Sequence, residues 1–179
     1  MRECGGFLIQ AKHEKHKEEL FVAFKEFLDN YNFLYDDFWA EYVTENQAGN
    51  LEVDYETHIN HDDYAGENGV LFVEMCTEVA NNLPKIPFKG VAHFCNENAG
   101  FNEDYVVHYD GRRHLTIYSL EYCDGEEETE TMCPNCGHNI LLELWDYTLT
   151  PVVPDTVYCN NCKKSFKLKN IANITEVKL

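Results

Sequence analysis

Apolar positions in the first 125 residues switch between a period of two and a period near 3.6. Residues 6–11 form a short apolar run and predict a strand. Leu20, Phe21, Phe24, Phe27 and Leu28 then recur at helical spacing, which predicts a helix over about 14–30. Phe33, Leu34, Phe38, Trp39 and Tyr42, set among acids, read as a second helical segment over 33–42. Residues 51–59 alternate apolar and polar, the pattern of a half-buried strand. Leu71, Phe72, Met75, Val79 and Leu83 share one stripe of a helix over 69–83, which Pro84 stops. A strand over 91–94 follows. Residues 105–109 and 114–118 flank Asp110-Gly111 and predict a hairpin whose type I′ turn needs positive φ at both central residues.

This order, strand, helix, strand, helix, then a strand meander, argues for an α+β fold: an antiparallel sheet with helices on one face rather than a doubly wound sheet. The chain has 179 residues, 44% of them hydrophobic and 13% aromatic, enough to build an apolar core. The apolar-free stretch 124–131, with five acids in eight residues, reads as a connector. It divides the chain into an acidic α+β domain, residues 1–125, and a smaller C-terminal unit, residues 126–179. No window has the 18 or so apolar residues of a membrane span, and the N-terminal apolar run is too short for a secretory segment. The expectation is a soluble cytoplasmic protein whose eight cysteines are metal ligands or buried thiols before disulfides.

Three stretches of the first domain, the helix end at 79–84, residues 88–94 and residues 105–111, give it a resemblance to the ferredoxin-like domain of small phage and plasmid proteins of unknown function. The resemblance implies an architecture and a mobile-element origin in a bacterial host, and carries no catalytic motif.

Cys133-Pro-Asn-Cys136 and Cys159-Asn-Asn-Cys162 form two matched CxxC pairs. Two residues between thiolates let one tight turn present both sulfurs, with Gly137 free to take positive φ where backbone N–H groups support them. With strands predicted over 140–145, 156–158 and 165–169, roughly the last 50 residues resemble a zinc ribbon. Cys133, Cys136, Cys159 and Cys162 would hold one Zn²⁺. Four thiolates close the tetrahedral shell, so the metal is expected to be structural rather than catalytic. Cys4, Cys76, Cys95 and Cys123 share no such spacing and read as buried thiols.

Outside the cysteines the densest group of possible ligands is His58, His61, Asp62 and Asp63, the basis of a lesser hydrolase reading that uses His61 and Asp62. His13 and His16 sit among lysines and read as a solvated turn. His93, His108 and His114 fall in predicted strands. No glycine-rich phosphate loop, GxSxG elbow or HExxH motif is present, so the leading expectation is a protein without enzymatic activity.

Thirty-two Asp and Glu against fourteen Lys and Arg give a net charge of −18. Residues 26–84 contain fourteen acids and no Lys or Arg. A surface this anionic is ill suited to general binding of nucleic acid or anionic membranes. It can instead imitate a nucleic-acid backbone, because side chains about 5–6 Å apart on a helix are comparable in spacing to the charges of a DNA strand, about 3.4 Å apart. The leading expectation is therefore an interaction protein that inhibits a basic nucleic-acid-binding protein of the host, such as a CRISPR effector nuclease, through Asp36, Asp37, Glu41, Glu45, Asp62 and Asp63. The alternative is a zinc-ribbon nucleic-acid-binding or transcription-regulatory protein that uses Lys163, Lys164, Lys167 and Lys169.

Overall fold

The computed structural model describes residues 2–35, 43–45, 51–58, 67–96, 101–123, 132–138 and 155–179. In chain order the elements are β1 (Arg2–Ala11), a 3₁₀ turn (Glu14–His16), α1 (Lys17–Tyr35), β2 (Val43–Glu45), β3 (Leu51–His58), α2 (Glu67–Asn82), β4 (Phe88–Asn96), β5 (Phe101–Tyr109), β6 (His114–Cys123), β7 (Thr156–Cys159), β8 (Lys164–Lys167) and β9 (Asn173–Lys178). Seven strands form one antiparallel sheet in the order β2-β3-β1-β4-β5-β6-β9, and β7 and β8 form a separate hairpin. The fold is α+β.

Each central strand places successive side chains on opposite faces, and here both faces are buried. Phe7 and Ile9 of β1, Ala92 of β4, Val107 of β5 and Ile117 of β6 face α1 and α2. They pack there with Leu20, Phe24 and Leu28 of α1 and with Phe72, Met75, Cys76 and Val79 of α2. Leu8, Val91, Val106 and Leu120 lie on the other face, against Cys133, Val157, Cys159 and Leu168. This is why β1, β4 and β5 read as continuous apolar runs rather than clean alternations. The helices occupy one face, and the cysteine-bearing segment covers the other.

Several expectations are corrected. Phe33 and Leu34 continue α1 to Tyr35 instead of opening a second helix, since no Gly or Pro between 30 and 34 interrupts the first; residues 36–42 of that expected segment lie outside the described residues. β1 begins at Arg2 and runs through Gly5 and Gly6, because ladders to β3 and β4 on either side hold it where intrinsic propensity would not. The expected strand over 165–169 is β8 at Lys164–Lys167 followed by a 3₁₀ turn (Leu168–Asn170), which carries Leu168 into the second core at 2% exposure. The strand expected over 140–145 lies outside the described residues. The β5–β6 hairpin forms, but its positive-φ residues are Gly111 (φ 73°) and Arg113 (φ 69°), not an adjacent pair. Asp110 Oδ1 accepts the N–H groups of Arg112 (2.6 Å) and His114 (3.3 Å), so a longer Asx-type turn replaces the type I′ turn. Gly111 is needed there for a second reason: a Cβ would stand 3.1 Å from Pro87 Cδ and 3.2 Å from the Lys85 carbonyl oxygen.

The C-terminal residues show the largest difference. No strand was expected over 173–178, yet β9 forms there and pairs with β6 from His114↔Lys178 to Ser119↔Asn173. Alternation in Asn173-Ile174-Thr175-Glu176-Val177-Lys178 was the available signal. The physical cause is the free edge of β6, whose N–H and C=O groups β9 satisfies.

Candidate functional site

Two tight turns bring the four cysteines together. In the first, the Gly137 N–H donates to the Cys133 carbonyl at 2.8 Å; in the second, the Lys163 N–H donates to the Cys159 carbonyl at 2.9 Å. Gly137 (φ 69°) and Lys163 (φ 59°) both take the left-handed conformation one residue after the second cysteine of their pair. The turns are thus geometric repeats, and the sequence announces only the glycine. At Lys163 a side chain accepts a conformation that disfavours L residues.

The sulfurs of Cys133 and Cys162 stand 3.6 Å apart and those of Cys136 and Cys159 3.7 Å apart, and all four lie within 4.8 Å of one another. A tetrahedral metal with metal–sulfur bonds of about 2.3 Å requires sulfur–sulfur edges of about 3.8 Å. The four cysteines therefore fit one metal ion, and they form the only such ligand cluster among the described residues. Burial pushes the Cys133 thiol up to about 11, while the Asn161 amide and then the His138 N–H bring Cys136 down to about 6. Asn161 Nδ2 donates to Cys136 Sγ at 3.5 Å. Cys133 and Cys159 are themselves members of the second core, so a metal held here would also fix the layer that covers Leu8, Val91, Val106 and Leu120.

Lys163, Lys164, Lys167 and Lys169 are all exposed around this hairpin. Strand alternation puts Lys164 and Lys167 on opposite sides of β8, and Lys164 Nζ is engaged by Asn135 Oδ1.

Of the acids expected to bind a partner, Asp36, Asp37, Glu41, Asp62 and Asp63 lie outside the described residues, as does His61, and Glu45 ends β2. His58 ends β3. Among the described side chains of the two helices, Glu18, Glu19, Glu26 and Asp29 of α1 and Glu74 and Glu78 of α2 are exposed, with Lys25 the only exposed base. Among the described residues, the second-face core lies on the opposite side of the sheet from this acidic layer.

Of the strand histidines, His108 and His114 line one cleft at the end of the sheet, and His93 stands apart from them. His93 and Asp104 are opposite each other in β4 and β5, with Nδ1 and Oδ1 2.6 Å apart in a buried pair that sequence spacing does not reveal. His108 lies elsewhere, its Nε2 buried, without a hydrogen bond among the described residues and 3.5 Å from Asp155 Oδ1. The same Asp155 oxygen accepts from Lys89 Nζ at 2.7 Å, which ties the start of β7 to the sheet. Asp155 is held below the usual carboxylate range chiefly by that bond. Cys76 is fully buried, and burial pushes its thiol up; Cys4, Cys95 and Cys123 lie in strands.

Lysines and arginines gather at one end of the sheet. Lys12, Lys15 and Lys17 follow β1, Lys85 and Lys89 flank the start of β4, Arg112 and Arg113 turn from β5 into β6, and Lys178 ends β9 beside His114. The backbone bonds Lys12 N–H to Pro87 O (3.1 Å) and Leu179 N–H to Arg113 O (3.1 Å) join these segments. Eight of the chain's fourteen bases stand at this one end.

Comparison with protein-family models, with curated proteins and with solved structures yields no match. No helix among the described residues is long and apolar enough to cross a membrane.

Proposed function

We propose that the chain is a non-enzymatic interaction protein whose acidic helical face occupies the basic cleft of a nucleic-acid-binding protein. The observation that carries this reading is the charge of the helical layer: among the described side chains, six exposed acids on α1 and α2 stand against one exposed base, Lys25. Two adjacent helices present carboxylates in rows, and such rows gain the same electrostatic steering from a basic cleft that a phosphate backbone gains. The first six regular elements, β-α-β-β-α-β with the sheet order β2-β3-β1-β4, support a ferredoxin-like unit that β5, β6 and β9 extend. Zn²⁺ is the proposed metal, since an all-thiolate tetrahedral donor set suits it and leaves no open position. Its role here is to hold the second layer in place.

The test is charge reversal. Glu26, Asp29, Glu74 and Glu78 changed together to Lys abolish binding to the partner and flatten its salt dependence; unchanged binding at every salt concentration sinks the proposal. Metal analysis of the freshly purified protein gives about one zinc per chain. The exposure of all four hairpin lysines favours a second reading, direct nucleic-acid binding by that hairpin. It predicts a gel shift that Lys163→Glu, Lys164→Glu and Lys167→Glu together abolish.

A further inference from the structure

The basic end of the sheet encloses a cleft of about 540 Å³, lined among others by Gln10, Lys12, Lys89, His108, His114 and Thr116. That volume lies within the range of small-molecule sites, about 300–1,000 Å³. Its polar groups come from β1, β4, β5 and β6 and from the residue that follows β1, so rigid strands rather than one flexible loop aim them at a shared space.

The carboxylates that border the cleft are already committed. Asp110 uses Oδ1 to accept the backbone N–H groups of Arg112 and His114. Asp155 accepts from Lys89 and faces the Nε2 of His108. Lys12 and His114 are exposed and have no described carboxylate within ion-pair distance. Eight of the chain's fourteen bases stand at this end of the sheet, and of these Lys12 and Lys89 line the opening together with Asp110.

We propose that this cleft binds a phosphate group, carried either free or on a small organic molecule. A phosphate presents more acceptor oxygens than a carboxylate and draws more from donors that converge from several strands. Lys12 supplies a point charge, His114 and Thr116 supply directional donors, and Lys89, held in place by Asp155, adds N–H donors at a fixed position. A cleft of this volume suits a single phosphate group on a small molecule, so a long polyanion is not the ligand proposed.

Calorimetry of the metal-loaded full chain at constant ionic strength tests the proposal, with inorganic phosphate, glycerol 3-phosphate, acetate and a single-stranded oligonucleotide as probes. Saturable binding of inorganic phosphate or glycerol 3-phosphate is expected. Lys12→Ala and His114→Ala each weaken it about tenfold, the effect of one charge-assisted hydrogen bond. Lys12→Arg restores most of the affinity, and Lys169→Ala, at a residue that does not line the cleft, leaves it unchanged. Tighter binding of the ester assigns the rest of the cleft to an organic moiety; equal binding assigns free phosphate. Four results overturn the proposal: no saturable binding of either phosphate probe, acetate binding as tightly as they do, the oligonucleotide binding more tightly, or Lys169→Ala weakening binding as much as Lys12→Ala. Lys12 and His114 are exposed, so the variants keep the fold, which circular dichroism verifies.

Discussion

Phe7 and Leu8 are neighbours in β1 and lie in different cores: Phe7 packs toward the helices, its ring 5.5 Å from that of Phe72, and Leu8 packs toward the cysteine-bearing layer. The sheet is the shared wall of two apolar compartments. Anything that loosens the second layer uncovers Leu8, Val91, Val106 and Leu120 together.

Metal removal is the most direct test of that coupling. Chelation is expected to lower the melting temperature of the whole chain and to raise the fluorescence of an apolar-surface dye, because Cys133 and Cys159 belong to the core that they would release. Cys159→Ser should reproduce both effects. A chelated protein with unchanged melting and no dye binding would mean that the second layer stands without the metal.

Leu168 is 2% exposed in the second core, although it lies 160 residues after Leu8. Leu168→Ala is expected to cost about 2–5 kcal/mol in denaturant unfolding. Because the hairpin layer and the sheet share that core, unfolding followed by far-ultraviolet circular dichroism and by metal release should coincide in one transition. Two separated transitions, with only the metal-release step shifted by the substitution, would show the layers unfolding independently.

The His93–Asp104 pair joins β4 to β5, with Asp104 wholly buried. Truncating one partner leaves the other desolvated, so Asp104→Ala is expected to destabilise the chain by about 3–5 kcal/mol. Asp104→Asn keeps an acceptor for the ring and should cost markedly less. Equal losses for the two variants, measured by urea unfolding, would assign the stabilisation to packing volume instead of the pair.

Burial pushes the His108 imidazole below its ordinary value, the Lys89 charge adds to the shift, and Asp155 opposes it. A histidine depressed in this way holds its proton less well folded than unfolded. Its effect is therefore absent above a pH of about 6.5, and stability declines as pH falls from there through the folded-state pKa. Asp155, also depressed, contributes above a pH of about 4 and loses that contribution as pH falls through its own folded-state value. Melting temperature should therefore drop on mild acidification, and His108→Gln should remove part of the drop. An identical profile for the variant would exclude His108 as its source.

The sequence by itself determined the features that depend on local spacing. The helical stripes of α1 and α2, the alternation of β3, the hairpin around Asp110 and Gly111, and the two CxxC turns each follow from residues within a turn or two of one another. The ligand cluster was legible because two short motifs must converge on one ion whatever lies between them. Tertiary structure alone decided which face each strand buries and what covers it. The polar, short and mostly exposed β9 has no local reason to leave the cysteine unit, and only the open edge of β6 gives it one. His93 finds Asp104, and Lys89 finds Asp155, through sheet register and layer packing, over separations of 11 and 66 residues. The basic end of the sheet is likewise a product of the fold: bases scattered from Lys12 to Lys178 form one patch because three connections and the end of β9 meet at the same end of the sheet.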